Sequence, residues 1–136
     1  MKIAEHLYLR GFTTYPRTES TTFSNNFNFK EVLTSLKDHH KYGYYTSYLL
    51  KNGYQKPRQG VDAGDHPPIT PVKAAQEGEL YDRELRVYQY ITSNFLACIS
   101  KDAVYQGLRA ELQIGEEKFK SKSNLGIPFL FMINNN

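Results

Sequence analysis

The sequence predicts a mainly α-helical fold with a small β component, an α+β chain. Three observations carry this. Apolar residues recur at helical spacing over 29–36 and again along 82–100, as the buried stripe of a helix requires. Capping residues stand at the ends of these stripes. Past residue 105 the apolar period drops from helical to two, the signature of a strand.

Taken in order, residues 1–10 (MKIAEHLYLR) place Ile3, Leu7 and the Ala4/Tyr8 pair at helical spacing, and Gly11 is a C-terminal cap. A short β-prone run, 12–15, stops at Pro16. Asn28 with Glu31 three residues on forms a variant capping box, and Phe29, Val32, Leu33 and Leu36 supply the stripe behind it. A second helix is expected over 42–52, ended by Gly53. Residues 54–68 (YQKPRQGVDAGDHPP) hold three prolines and two glycines with little periodicity, so a functional or disordered loop is expected. Thr70 as N-cap and Pro71 at the first helical position predict a short helix over 71–77. The longest helix should cover 82–100, with Leu85, Tyr88, Ile91, Phe95 and Ile99 on one face. Leu108, Ala110, Leu112 and Ile114 then alternate with Arg109, Glu111 and Gln113, which predicts a half-buried strand. Gly115 turns the chain, and 118–122 can pair back as a hairpin. No internal repeat is visible.

A chain of 136 residues can form one domain with a sizeable core. Eleven tyrosines and eight phenylalanines, with no tryptophan, suit either half-buried packing or stacking on bases. The net charge of +3 is unevenly spread: residues 1–60 carry nine Lys/Arg against four Asp/Glu, and 61–136 carry eight against ten. A basic half rich in tyrosines and hydroxyls suits a polyanion. The single cysteine, Cys98, excludes an internal disulfide and a thiolate zinc cluster, and its neighbours Phe95, Leu96 and Ile99 predict a buried thiol. No signal peptide or transmembrane run is visible, so an intracellular chain with no membrane partner is expected. His6, His39 and His40 are expected at the surface, with the His39-His40-Lys41 run complementing a helix C-terminus.

Two stretches can carry chemistry. In GFTTYPRTES, residues 11–20, Pro16 keeps Tyr15 out of the helical region, so the segment is extended. In extended backbone i and i+2 project to one side, which lets Tyr15 and Arg17 face one ligand, with Glu19 next in line. A phenol that attacks a phosphodiester must lose its proton, and the charge growing on phosphorus must be held. A guanidinium two residues away can hold that charge with a bidentate fork, and its charge favours the phenolate. Thr18 and Ser20 offer hydroxyls for further phosphate contacts. The same triplet equally fits a strand end with Tyr15 packed and Arg17 solvated.

The second stretch is VDAGDHPPITP, residues 61–71. His66 precedes two prolines and is therefore held extended, and Asp62 and Asp65 lie near enough to orient its ring. It can be a loop histidine without a role, a ligand in an Asp/His metal cluster, or a donor aimed at a phosphate oxygen. The segment offers too few convergent ligands for a metal.

Together, in this order and about fifty residues apart, the two stretches resemble the type IA DNA topoisomerases. GFTTYPRTES is similar to the family's active-site tyrosine segment, and DAGDHPPITP to its downstream histidine loop, most like the topoisomerase III group and its eukaryotic beta branch. The resemblance covers residues 1–122. It implies that Tyr15 is the nucleophile of a 5′-phosphotyrosyl bond and that Arg17 and His66 contact the scissile phosphate. Thr18, Glu19 and Ser20 match the positions that follow the arginine and count as candidate nucleic-acid-binding residues.

The resemblance further implies a winged-helix-like gate domain over 1–102 and the start of a β-rich arch over 103–122. Single-stranded DNA is the implied substrate, with RNA as a second polymer, and the remainder of the topoisomerase chain is an implied partner. Localisation is expected in the nucleus, with the cytoplasm second. Mg²⁺ is implied for the family but is held by its toprim domain, which also brings a lysine and a glutamate and has no counterpart here; no metal site is expected in this chain. Residues 123–136 depart from the family pattern and are expected to be a disordered tail. The reading is a topoisomerase fragment, inert alone, with a non-catalytic single-strand-binding module or a helical protein-interaction domain as alternatives.

Overall fold

A computed structural model describes residues 2–102 and 104–126. The described elements are four helices and one hairpin, in the order α1 (Lys2–Leu9), α2 (Phe29–Leu36), α3 (Gly43–Asn52), α4 (Asp82–Cys98), β1 (Tyr105–Ile114) and β2 (Glu117–Gly126). The chain divides into two compact units, with the division between Lys101 and Asp102.

In the first unit, α1 ends in a left-handed Gly11, at φ 73°. The Gly11 N–H returns to the Tyr8 carbonyl at 2.8 Å and the Phe12 N–H to that of Leu7 at 2.9 Å, the two bonds of a Schellman cap. That cap drops Phe12 beside Leu7, and both join a core of Ala75, Leu80, Tyr88 and Ile91 between α1 and α4. Polar contacts bind the same two helices: Arg10 donates to Glu84 at 2.9 Å and to the Glu79 carbonyl at 2.7 Å. The α2 start is as expected, with Asn28 Oδ1 accepting the Glu31 N–H at 3.2 Å. Phe29 and Phe95 stack at 6.4 Å, with Phe23 and Phe27 edge-on to Phe29, forming an aromatic core on the α2 side.

Several expectations change. No helix forms over 71–77: Pro71 bridges to Thr13. Around that bridge the Thr14 N–H donates to the Thr70 carbonyl and the Val72 N–H to that of Phe12. A seven-residue helix is marginal by itself, whereas this backbone pairing comes with burial of Thr70 and Pro71. The β-prone run 12–15 is thus one side of a single bridge. α4 ends at Cys98, not at 100, with Ile99 as its cap. Cys98 is exposed, because the buried stripe runs through Tyr88, Ile91, Thr92, Phe95, Leu96 and Ile99.

His39 is not at the surface. It is buried with its ring against those of His40 and Tyr42, and its Nδ1 accepts the Lys41 N–H at 3.0 Å. Burial, and then the neighbouring His40 and Lys41, push its pKa down to about 4.

In the second unit β1 and β2 pair antiparallel across a two-residue turn, with Leu112 opposite Phe119 and Ile114 opposite Glu117. The alternation is as read, placing Leu108, Leu112, Ile114 and Phe119 on one face and Arg109, Lys118, Lys120 and Lys122 on the other. The expected half-burial is absent: every residue of β1 is exposed. Among the described residues the sheet has two strands, and a two-stranded ribbon cannot cover its own apolar face. β2 continues to Gly126, past the limit of 122, and residues 127–136 lie outside the described residues.

Candidate active site

Tyr15, Pro16 and Arg17 follow the Thr13–Pro71 bridge directly, so the bridge fixes where the segment sits. The same pairing draws in 66–70: the Thr70 N–H donates to Thr14 Oγ1 at 2.9 Å. The Tyr15 and His66 rings consequently lie 4.8 Å apart at a 54° tilt. Tyr15 also meets the Tyr8 ring edge-on at 5.2 Å. Tyr15 is half-buried, held between a helix and a loop, while His66 is exposed.

Arg17 lies on the side expected. Its Nη2 donates to Glu5 Oε1 at 2.9 Å, and Glu5 and Tyr8 are one helical turn apart on α1. Tyr15 and Arg17 therefore address one face of that helix. Arg17 is exposed and Glu5 partly so, the setting in which ion pairs are weak.

Asp62 and Asp65 do something other than orient the His66 ring. Asp62 Oδ1 accepts the Gly64 N–H at 3.0 Å, a local turn contact. Asp65 crosses to the tyrosine segment. Its Oδ2 accepts the Glu19 N–H at 3.0 Å, and its Oδ1 accepts the Ser20 hydroxyl at 2.7 Å and lies 3.3 Å from Thr18 Oγ1. The Glu19 N–H, and next the Ser20 hydroxyl, lower the Asp65 pKa to about 2.

Thr18 and Ser20 were expected to be phosphate donors, and their hydroxyls are already engaged. Thr18 donates to the His66 carbonyl at 2.5 Å, and its oxygen accepts the Ser20 N–H at 3.0 Å. Ser20 is buried and also accepts the Ala63 N–H at 3.0 Å. Glu19 leaves its side chain exposed. Thus Thr18 and Ser20 join the two loops, and Arg17 is held by Glu5 while the Tyr15 ring meets that of His66. Gly60 makes the joint possible: at φ 125°, a Cβ there would meet Thr21 O and Thr22 Cβ at 2.8 Å.

Glu5, Tyr8 and the crossing of Asp65 were not read from the sequence. The i, i+3 spacing of Glu5 and Tyr8 was visible there, but not which face of α1 receives the tyrosine segment.

Among the described residues, no three His, Cys, Asp or Glu side chains are grouped to hold a metal ion. Asp65, the nearest carboxylate by sequence to His66, has both oxygens occupied by protein donors. The donor set does not fit Mg²⁺. No helix among these residues is long and apolar enough to cross a membrane.

A family profile described as DNA topoisomerase matches residues 1–126. The chain is 43% identical over 119 residues to Arabidopsis thaliana DNA topoisomerase 3-beta, covering 88% of this chain and 14% of that protein. It is 44% identical over 119 residues to Homo sapiens DNA topoisomerase 3-beta-1, with the same 88% and 14% coverage. To Homo sapiens DNA topoisomerase 3-alpha it is 36% identical over 120 residues, covering 88% of this chain and 12% of that protein. It therefore spans a small part of the relatives that it matches. The chain belongs to the type IA DNA topoisomerases and corresponds to part of a topoisomerase III.

Proposed function

We propose that this chain carries the nucleophile with which a type IA topoisomerase opens and reseals single-stranded DNA. The observation that carries the reading is the ring contact of Tyr15 with His66 at 4.8 Å, with Arg17 directed to the same side of the segment. Tyr15 Oη attacks phosphorus as it loses its proton. A new P–O bond forms to the tyrosine, the P–O3′ bond breaks, and the 3′ oxygen leaves with a proton. No water is consumed, so the reverse attack restores the strand. Arg17 and a ring N–H of His66 hold the phosphate oxygens as charge develops on them.

Proton delivery to the 3′ oxygen and the Mg²⁺ chemistry of the family are proposed to come from a toprim domain outside these residues. RNA is a second polymer that the same groups can hold, since they touch phosphate and not base or sugar. A nuclear protein is the proposed setting.

The test is covalent trapping. A single-stranded oligonucleotide labelled at its 3′ end is incubated with the chain, alone and with the toprim region of a topoisomerase III added in trans. A denaturant-stable labelled adduct is expected only with the added region, because several electrostatic terms, each worth about 10²–10³ in rate, are otherwise missing. Tyr15→Phe should abolish it. An adduct that persists in Tyr15→Phe overturns the assignment.

A further inference from the structure

We propose that Asp65 is a positioning residue for this site: it fastens the segment that carries Tyr15 and Arg17 to the loop that carries His66, so all three reach a phosphate as one preformed set. The inference rests on the reading of Tyr15 as the nucleophile.

The fastening is specific in its chemistry. Two donors from the tyrosine segment take the two arms of one carboxylate, the Ser20 hydroxyl on Oδ1 and the Glu19 N–H on Oδ2, with Thr18 Oγ1 3.3 Å from Oδ1. The return contacts come from the same loop, where the Thr18 hydroxyl reaches the His66 carbonyl and the Ala63 N–H reaches Ser20 Oγ. A carboxylate is the only short side chain with acceptors on both arms. An asparagine in its place would turn an N–H₂ toward at least one of these donors. Asp65 immediately precedes His66, and Glu19 is two residues beyond Arg17, so the joint lies between the two groups it aligns.

The charge of Asp65 makes the proposal decidable. A carboxylate beside a phosphate site opposes a polyanion by charge alone, so neutralising it should tighten binding if charge were all that mattered. A positioning role predicts the opposite sign.

The experiment compares wild type, Asp65→Asn and Asp62→Asn in the full chain, using an oligothymidylate as probe and NMR of the His66 ring and Glu19 amide. We expect Asp65→Asn to bind at least about threefold more weakly, although it removes a negative charge. The His66 ring resonance should lose its displacement by the Tyr15 ring, and the Glu19 amide should exchange about tenfold faster. Asp62→Asn removes a negative charge and keeps an oxygen to accept the Gly64 N–H, so it should bind slightly more tightly. Should Asp65→Asn fail to fold, Ser20→Ala and Thr18→Val each remove one donor without changing charge, and the same loosening is expected.

Tighter binding by Asp65→Asn with the Tyr15–His66 contact intact would overturn the inference and leave the site itself standing. A wild type that does not bind the oligonucleotide would overturn the phosphate-site reading, and this inference with it.

Discussion

Arg17 Nη2 donates to Glu5 Oε1 at 2.9 Å, so the guanidinium expected to meet a phosphate is already held by a carboxylate of α1. Arg17 is exposed and Glu5 partly exposed, and such pairs contribute about 0.2–1 kcal/mol. The pair is therefore strong enough to aim Arg17 and weak enough to be exchanged for a phosphate oxygen. Glu5→Gln should raise affinity for a single-stranded oligonucleotide about two- to fivefold at low salt, with the gain shrinking as salt rises. Fluorescence anisotropy across a salt series checks it; an unchanged or lower affinity would show that Glu5 is needed to aim the arginine.

Arg17 and Lys37 carry the same charge at different places. Arg17 stands beside Tyr15, whereas Lys37 caps α2 on an exposed turn. A charge-assisted contact to one phosphate is worth about 1.5–3 kcal/mol, so Arg17→Ala should cost roughly tenfold or more in affinity. Lys37→Ala should cost about twofold, as a diffuse charge does. Equal losses in a titration of both variants would show that binding is spread over the basic surface.

His39 sets an acid limit on stability. Its ordinary pKa of 6.5 falls to about 4 in the folded chain, first through burial and then through His40 and Lys41. Between those values the unfolded chain takes up a proton that the folded one refuses. The contribution of neutral His39 is thus complete above about pH 6.5, is lost as pH falls toward about 4, and changes no further below that. The loss should be on the order of 3 kcal/mol. Urea unfolding at a series of pH values measures it, and His39→Asn, which keeps an acceptor for the Lys41 N–H but does not titrate, should flatten the slope. The low pKa of Asp65 acts only below this window.

Gly60 lies against the backbone of Thr21, with room for a hydrogen but not for a methyl group. Gly60→Ala should push the 61–66 loop away from residues 20–22 and break the Val61–Thr21 pairing, in which each N–H is bonded at 2.9 Å. A stability loss of about 1–3 kcal/mol is expected, together with movement of the His66 ring away from Tyr15. Thermal unfolding and the His66 NMR resonance report these two effects separately.

The sequence by itself determined the helices and the chemistry of the tyrosine segment. Stripes such as Phe29, Leu33 and Leu36 decide helix and buried face through contacts within a few residues, and Asn28 and Gly11 end helices through bonds to their own neighbours. Pro16 likewise fixed the extended segment, so Tyr15 and Arg17 were bound to share a side. Only the tertiary structure decided what lies beyond that reach. It turned Thr70-Pro71 from a helix start into a bridge with Thr13, because a distant backbone offered the pairing. It buried His39, exposed Cys98 and uncovered β1, since burial depends on what another element lays over a face. Above all it brought His66 to Tyr15 and Asp65 to Thr18, Glu19 and Ser20. Those contacts join residues more than forty positions apart, and no local propensity encodes which loop meets which segment.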